Sequence, residues 1–389
     1  MTFIRHSLAT SAVALCVFGS SLFASLVGSR TASADVILTP DEIQQALAHG
    51  PWSTAVEPDP SNRVSGNPTA IDLGRRLFSD ASLSRDGMLS CATCHRPDQS
   101  FAEDLPRSMG RKLLDRNTPA LLNLLQHRWF GWGGSSDNLW AQSMLPILHP
   151  DEMGHDANSL KTAIINGSHA RDYKTLFGDA ASQPAQTVLV NVGKTLAAFQ
   201  ETLTTGKTSF DRFRDALEIG DLKTASAYPD SAQRGLKLFL GEARCAFCHS
   251  GANFTNGEFH DAGVPYFLGP GEVDGGRHVG LRVLLKSPFS LDGKYNDDPQ
   301  KSGAWAVRSV IPTHADFGTF RVPSLRGVAK TAPYMHDGSL PDLTAVITHY
   351  NQINIERLHA DGEQILRPIG LDDQEIKDLV SFLQSLSDD

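Results

Sequence analysis

The chain has 389 residues, 40% hydrophobic and 20% charged, the make-up of a soluble globular protein, and its length predicts two to three domains. Thirty-five basic against 44 acidic residues leave a formal charge of −9, which excludes a nucleic-acid binder that works by neutralising phosphates. No run of about 18 apolar residues occurs beyond the N-terminus, which excludes a multi-span membrane protein.

The first element is an address. Arg5 and His6 precede an apolar stretch from Leu8 to Gly28, which ends at the small-x-small site Ala32-Ser33-Ala34. This pattern predicts a signal peptide over 1–34 and export, to a bacterial periplasm, of a chain starting at Asp35. An uncleaved anchor is the alternative; after cleavage no stable membrane insertion is expected. The exported chain keeps 33 basic and 44 acidic residues, a net −11, which weakly favours a basic docking partner.

Four of the five cysteines fall into two copies of one motif, Cys91-Ala92-Thr93-Cys94-His95 and Cys245-Ala246-Phe247-Cys248-His249. An exported chain could pair four cysteines as disulfides, but that reading does not explain why each sits in a C-x-x-C-H unit. A zinc site would more often draw its four ligands from a paired motif elsewhere. The spacing is that of covalent c-type haem attachment. Two thiols three positions apart share one side of a helical turn and add to the two vinyl groups, while the next histidine lies under the iron. His95 and His249 are therefore the expected proximal ligands of two haems.

Upstream of each motif stands a similar apolar block, Gly74-Arg75-Arg76-Leu77-Phe78 and Gly235-Leu236-Lys237-Leu238-Phe239. Helical periodicity recurs over 187–203, 342–351 and 373–386, and few stretches alternate with period two. The expected fold is mainly α: two cytochrome c-like haem domains with long loops and little β structure. The first domain would span 35–204 and the second 232–389. The polar stretch 205–231 would connect them.

Further blocks carry a resemblance. Arg116-Asn117-Thr118-Pro119, Trp132 to Glu152, Phe320-Arg321-Val322-Pro323-Ser324-Leu325-Arg326 and Thr331-Ala332-Pro333-Tyr334-Met335-His336-Asp337-Gly338 occur in one order with the two motifs. In this the chain resembles the bacterial di-haem cytochrome c peroxidase family, including its MauG-like branch, over essentially the whole exported length. The resemblance implies that peroxide reacts at the N-terminal haem, with Gln142 and Glu152 lining its open face. Peroxide heterolysis needs a base to shift a proton between oxygens and a hydrogen-bond donor to steady the leaving hydroxide. It also implies Trp132 as a relay between the haems, and a calcium ion held by Asn117, Thr331 and Pro333.

Three departures matter. The peroxidase branch places a histidine between the first motif and the Arg-Asn-Thr-Pro block; here none lies between His95 and His127, and Met109 is the sole ligand-capable side chain near that place. An open first haem is expected. The block that usually reads Trp-Asp-Gly-Arg is Trp132-Gly133-Gly134-Ser135, which puts the local salt bridging in doubt. Fourteen residues after His336, where peroxidases of the family carry a methionine ligand, stands Tyr350, the MauG-like pattern. His349 is the rival ligand, and adjacent helical residues point about 100° apart, so one of them faces the iron.

These features imply a periplasmic di-haem oxidoreductase that reacts with hydrogen peroxide, its electrons passing from the C-terminal to the N-terminal haem. The donor would be a small c-type cytochrome or cupredoxin. MauG-like oxidation of a partner protein and a non-enzymatic di-haem electron carrier are the alternatives.

Overall fold

The computed structural model describes residues 36–55, 57–265, 267–269, 272–355 and 365–387. The expected signal peptide lies outside them. Among the described residues no helix is long and apolar enough to cross a membrane. The described structure is mainly helical, with four short strands paired antiparallel in two ribbons: β1 (Phe259–His260) with β4 (Phe320–Arg321), and β2 (Phe267–Gly269) with β3 (Glu272–Val273).

After α1 (Pro40–Leu47), the first core is built on α2 (Pro68–Phe78), α3 (Cys91–Cys94), α4 (Leu139–Leu148), α5 (Ala157–Asn166), α6 (Ala170–Phe177) and α7 (Ala185–Gln200). Asn67 starts α2 by accepting hydrogen bonds from the Thr69 and Ala70 amides, with Pro68 in the first turn. Its apolar face, Ala70, Leu73 and Leu77, recurs at helical spacing. From Val188 to Gln200, α7 is buried on every side, so it forms the axis of this core.

The second core gathers α8 (Ser209–Ile219), α9 (Leu222–Ala225), α10 (Asp230–Leu240), α13 (Leu343–Asn351) and α14 (Asp373–Gln384). Between them, α11 (Arg277–Lys286) and α12 (Trp305–Ser309) pack with Trp129 in a small third cluster.

The repeated block has a steric purpose in both cores. A Cβ on Gly74 would lie 2.2 Å from the Thr195 carbonyl oxygen on α7, and one on Gly235 would lie 2.0 Å from that of Asp378 on α14. Only glycine lets these helix pairs touch backbone to backbone.

Two boundaries differ from expectation. The stretch 205–231 is helical, and Phe210, Phe213, Ala216 and Leu217 of α8 are buried in the second core. Its charged residues mask an apolar stripe at helical spacing. Residues 36–50, expected in the first domain, also pack on the second core. Leu38 and Ala46 are buried there, and Ile37 donates its amide to Gln233 Oε1 at 3.0 Å.

Candidate active site

The first motif forms the single turn α3, in which the His95 amide donates to the Cys91 carbonyl at 2.9 Å. His95 Nδ1 lies 3.2 Å from the Phe101 carbonyl. A carbonyl accepts only, so Nδ1 carries the proton and Nε2 keeps its lone pair, the form an iron binds. Burial pulls the imidazole down to about 4, against the carbonyls of Phe101 and Pro119, so the ring is neutral.

Gln142 lies in the first turns of α4, and Pro146, four residues on, removes the amide that would bond its backbone carbonyl. The Gln142 side-chain Oε1 is buried with no hydrogen-bond partner. Such an oxygen is costly unless a donor arrives from outside the chain. After α4 the backbone folds back, the Glu152 amide donating to the His149 carbonyl at 3.1 Å. Burial raises the Glu152 carboxyl above its ordinary range, partly offset by His149, whose Nδ1 is 3.8 Å from Oε1. Glu152 acts electrostatically on both Cys91 and Cys94, which places it at the first motif. Met109 is 54% exposed in a tight hairpin opposite Leu113. A Cβ on neighbouring Gly110 would lie 2.5 Å from the Asp151 carbonyl, so this hairpin backs the Glu152 turn.

The second motif opens onto a cavity of about 590 Å³. Cys245, Cys248, His249 and Tyr350 line it together, as do Asn117, Trp132, Thr331 and Pro333. His249 repeats the first site: Nδ1 is 3.1 Å from the Phe254 carbonyl, and burial holds the ring down to about 4. All four thiols are free of disulfides. Burial pushes the Tyr350 phenol far above its usual value, and both nearby thiols add to the shift. It ionises at neutral pH only with a cation against its oxygen. His349 is not among the lining residues, and its Nε2 instead meets the carbonyl of Ala262, which is, at 2.8 Å.

Between the two motifs, Trp132 Nε1 donates to the Asn117 carbonyl at 2.9 Å. The Asn117 amide donates to the His336 carbonyl at 2.8 Å, and its Nδ2 to the Leu105 carbonyl at 3.1 Å. That arrangement leaves Oδ1 as the oxygen a hard cation would take. The glycines after Trp132 are required by packing. A Cβ on Gly133 would lie 2.7 Å from the Gly276 carbonyl, and one on Gly134 would lie 2.2 Å from Arg277 Nη1. Arg277 donates to the Gly134 carbonyl at 3.0 Å, between the rings of Trp129 and Phe259. An arginine absent from the block is thus supplied by α11, beside the Arg116–Asp274 pair.

Two lining residues escaped sequence reasoning. Arg321 is 8% exposed, with Nη1 3.2 Å from His127 Nδ1, its Nε unpartnered, and no carboxylate paired with it among the described residues. Burial lowers it to about 10, so it stays cationic at neutral pH. His127 is held well below its usual value by burial and by that cation. The signal for Arg321 is a missing counter-ion, which exists in three dimensions alone.

A family model described as di-haem cytochrome c peroxidase matches residues 68–218. The methylamine utilization protein MauG of Methylorubrum extorquens is 35% identical over 321 residues, covering 82% of this chain and 78% of that protein. The cytochrome-c peroxidase IdrP2 of Denitromonas iodatirespirans is 30% identical over 331 residues, 83% of each chain. In fold, the chain is similar to the diheme peroxidase BthA of Burkholderia thailandensis. The TM-score is 0.66 at 22% identity, over 87% of this chain and 89% of that one.

Proposed function

The chain belongs to the di-haem cytochrome c peroxidase family, and we propose that Cys91, Cys94 and His95 would hold a peroxide-reactive haem while Cys245, Cys248, His249 and Tyr350 would hold the second. As a member of that family it is a peroxide-reactive oxidoreductase with two covalent c-type haems. A haem iron held there would supply the redox chemistry with peroxide.

The chain's own groups manage protons and position. Glu152, its carboxyl raised by burial, would take a proton from peroxide and hand it back on the other oxygen. The unpartnered Gln142 oxygen receives a hydrogen bond from the peroxide O–H. Trp132 supplies an aromatic step between the sites. Arg321, a buried cation lining the cavity with an unpartnered Nε, would pair with a carboxylate of a haem held there. Asn117 Oδ1 with the Thr331 and Pro333 carbonyls suits calcium.

The leader and the attachment chemistry support a periplasmic location. Electrons would come from a small c-type cytochrome or cupredoxin and enter at the C-terminal site. A second reading, oxidation of a partner protein, is favoured by one observation: Tyr350, where a methionine would otherwise stand, is half-buried in the cavity lining beside the second motif. Gln142 and Glu152 argue against a plain electron carrier, which needs neither.

The observation that carries the reading is the shared cavity of Tyr350 and His249, with His349 absent from its lining and its ring held by the Ala262 carbonyl. An EPR spectrum of the ferric holoprotein tests it. One high-spin and one low-spin signal are expected, and Tyr350→Met changes the low-spin signal alone. A low-spin signal that survives in Tyr350→Met and vanishes in His349→Ala makes the second haem bis-histidine and removes the MauG-like assignment.

A further inference from the structure

Behind His249 lies a loop whose four successive carbonyls each meet a side-chain donor. The Gly251 carbonyl is 3.3 Å from His49 Nδ1, and the Ala252 carbonyl accepts from Arg326 Nε at 2.6 Å. The Asn253 carbonyl accepts from Ser324 Oγ at 2.8 Å, and the Phe254 carbonyl faces His249 Nδ1 itself. The first three donors come from outside the loop. Phe254 is fully buried with φ +50°, a conformation that a non-glycine residue holds only when its surroundings impose it.

His49 contributes twice to that imposition. Its ring stacks on Phe254, with centroids 4.8 Å apart and planes 14° apart, while its Nδ1–H holds Gly251. It is buried, and it sits at the end of the segment 36–50 that packs on the second core. The first seat has no such brace. Both loops are closed by backbone bonds, Phe101 to Arg96 at 2.9 Å and Arg96 to Ala102 at 3.0 Å in the first, Phe254 to Gly251 at 3.0 Å and Thr255 to Ser250 at 2.9 Å in the second. Phe101 also has a positive φ and also faces its histidine, but among the described residues no side chain from outside its loop, that histidine aside, bonds the loop carbonyls.

We infer that His49 is a positioning residue for the proximal ligand of the second haem, and that the N-terminal segment 36–50 is the brace which sets that haem's potential apart from the first. The inference rests on the assignment of His249 as an iron ligand. A carbonyl held firmly against Nδ1–H makes the imidazole more basic and favours the ferric state. When the seat loosens, that bond lengthens and the potential rises.

The test is redox titration and EPR of the holoprotein carrying His49→Ala or His49→Phe. His49→Ala is expected to raise the midpoint potential of the second haem and shift its low-spin g values, with the first haem's high-spin signal unchanged. His49→Phe keeps the stacking and loses the hydrogen bond, so its shift is smaller in the same direction. It also serves where His49→Ala fails to accumulate. Parent-like potential and g values in the variants overturn the inference, as do equal shifts at both haems, which report a general loosening. Failure of the underlying assignment looks different: His249→Ala would leave the second haem's potential and low-spin signal at the parent's values.

Discussion

Gln142 and Glu152 show how burial changes the character of ordinary polar side chains. Each would be an unremarked carboxamide or carboxylate in water; here one has an unpartnered oxygen and the other a raised carboxyl pKa. Glu152→Gln removes the proton acceptor and keeps the shape, so both haems should remain while the reaction with peroxide slows by roughly 10²–10⁴-fold. Stopped-flow mixing of the ferric variant with peroxide measures this, and a parent-like rate would remove Glu152 from the mechanism. At this scale the attachment residues were legible because covalent chemistry fixes their spacing. The family blocks pointed to Gln142, Glu152 and Tyr350. Arg321, His127 and His49 were not legible, since their interest lies in partners 194 and 202 positions away or in partners that are missing.

Elements were legible where one apolar stripe repeats and illegible where charge interrupts it. The paired Gly-x-x-x-Phe blocks announced equivalent helices, though not that the glycine itself is the contact. Gly235→Ala places a methyl 2.0 Å from the Asp378 carbonyl, and both backbones must separate. A loss of about 1–3 kcal/mol or more is expected, read as a lowered denaturation midpoint with both haems still attached. Gly220→Ala is a poor control because φ there is +71°, although no atom lies nearby.

The end of α7 carries a pH-dependent term. Glu201, buried against Ser65 and Asn62, is raised by burial from 4.5 to about 7. The folded state therefore favours the protonated form. Its contribution to stability is complete below about pH 4.5, declines as pH rises to about 7, and is flat beyond. Glu201→Gln should be more stable than the parent at pH 8 and lose that advantage toward pH 4.5 in paired melting curves; a pH-independent difference would place the ionisation elsewhere.

At the scale of the whole molecule, sequence order and spatial order part company. Residues 36–50 and α8 lie on opposite sides of the first core in sequence, yet both complete the second. Arg326, from the Phe320–Arg326 block, makes two 2.8 Å bonds to Asp211 of α8, and both side chains are fully buried. The same guanidinium lies 3.7 Å over the ring of Trp52, just beyond the N-terminal segment, and Trp52 in turn donates to the Thr205 carbonyl. One charge thus ties three distant stretches together. Removing one member of a fully buried pair leaves the other desolvated and uncompensated, at a cost of about 3–5 kcal/mol. Asp211→Asn keeps the volume and removes the charge, so a loss of that size is expected in denaturant unfolding of the holoprotein. Arg326→Met in the Asp211→Asn background should then cost far less than it does alone, because no buried carboxylate is left behind. A chain that begins at residue 232 lacks Asp211, Trp52 and the His49 brace together, and should not fold into a haem-binding unit by itself. If that fragment takes up haem and melts like the parent, the second domain is complete within 232–389, and the pair and the brace are incidental.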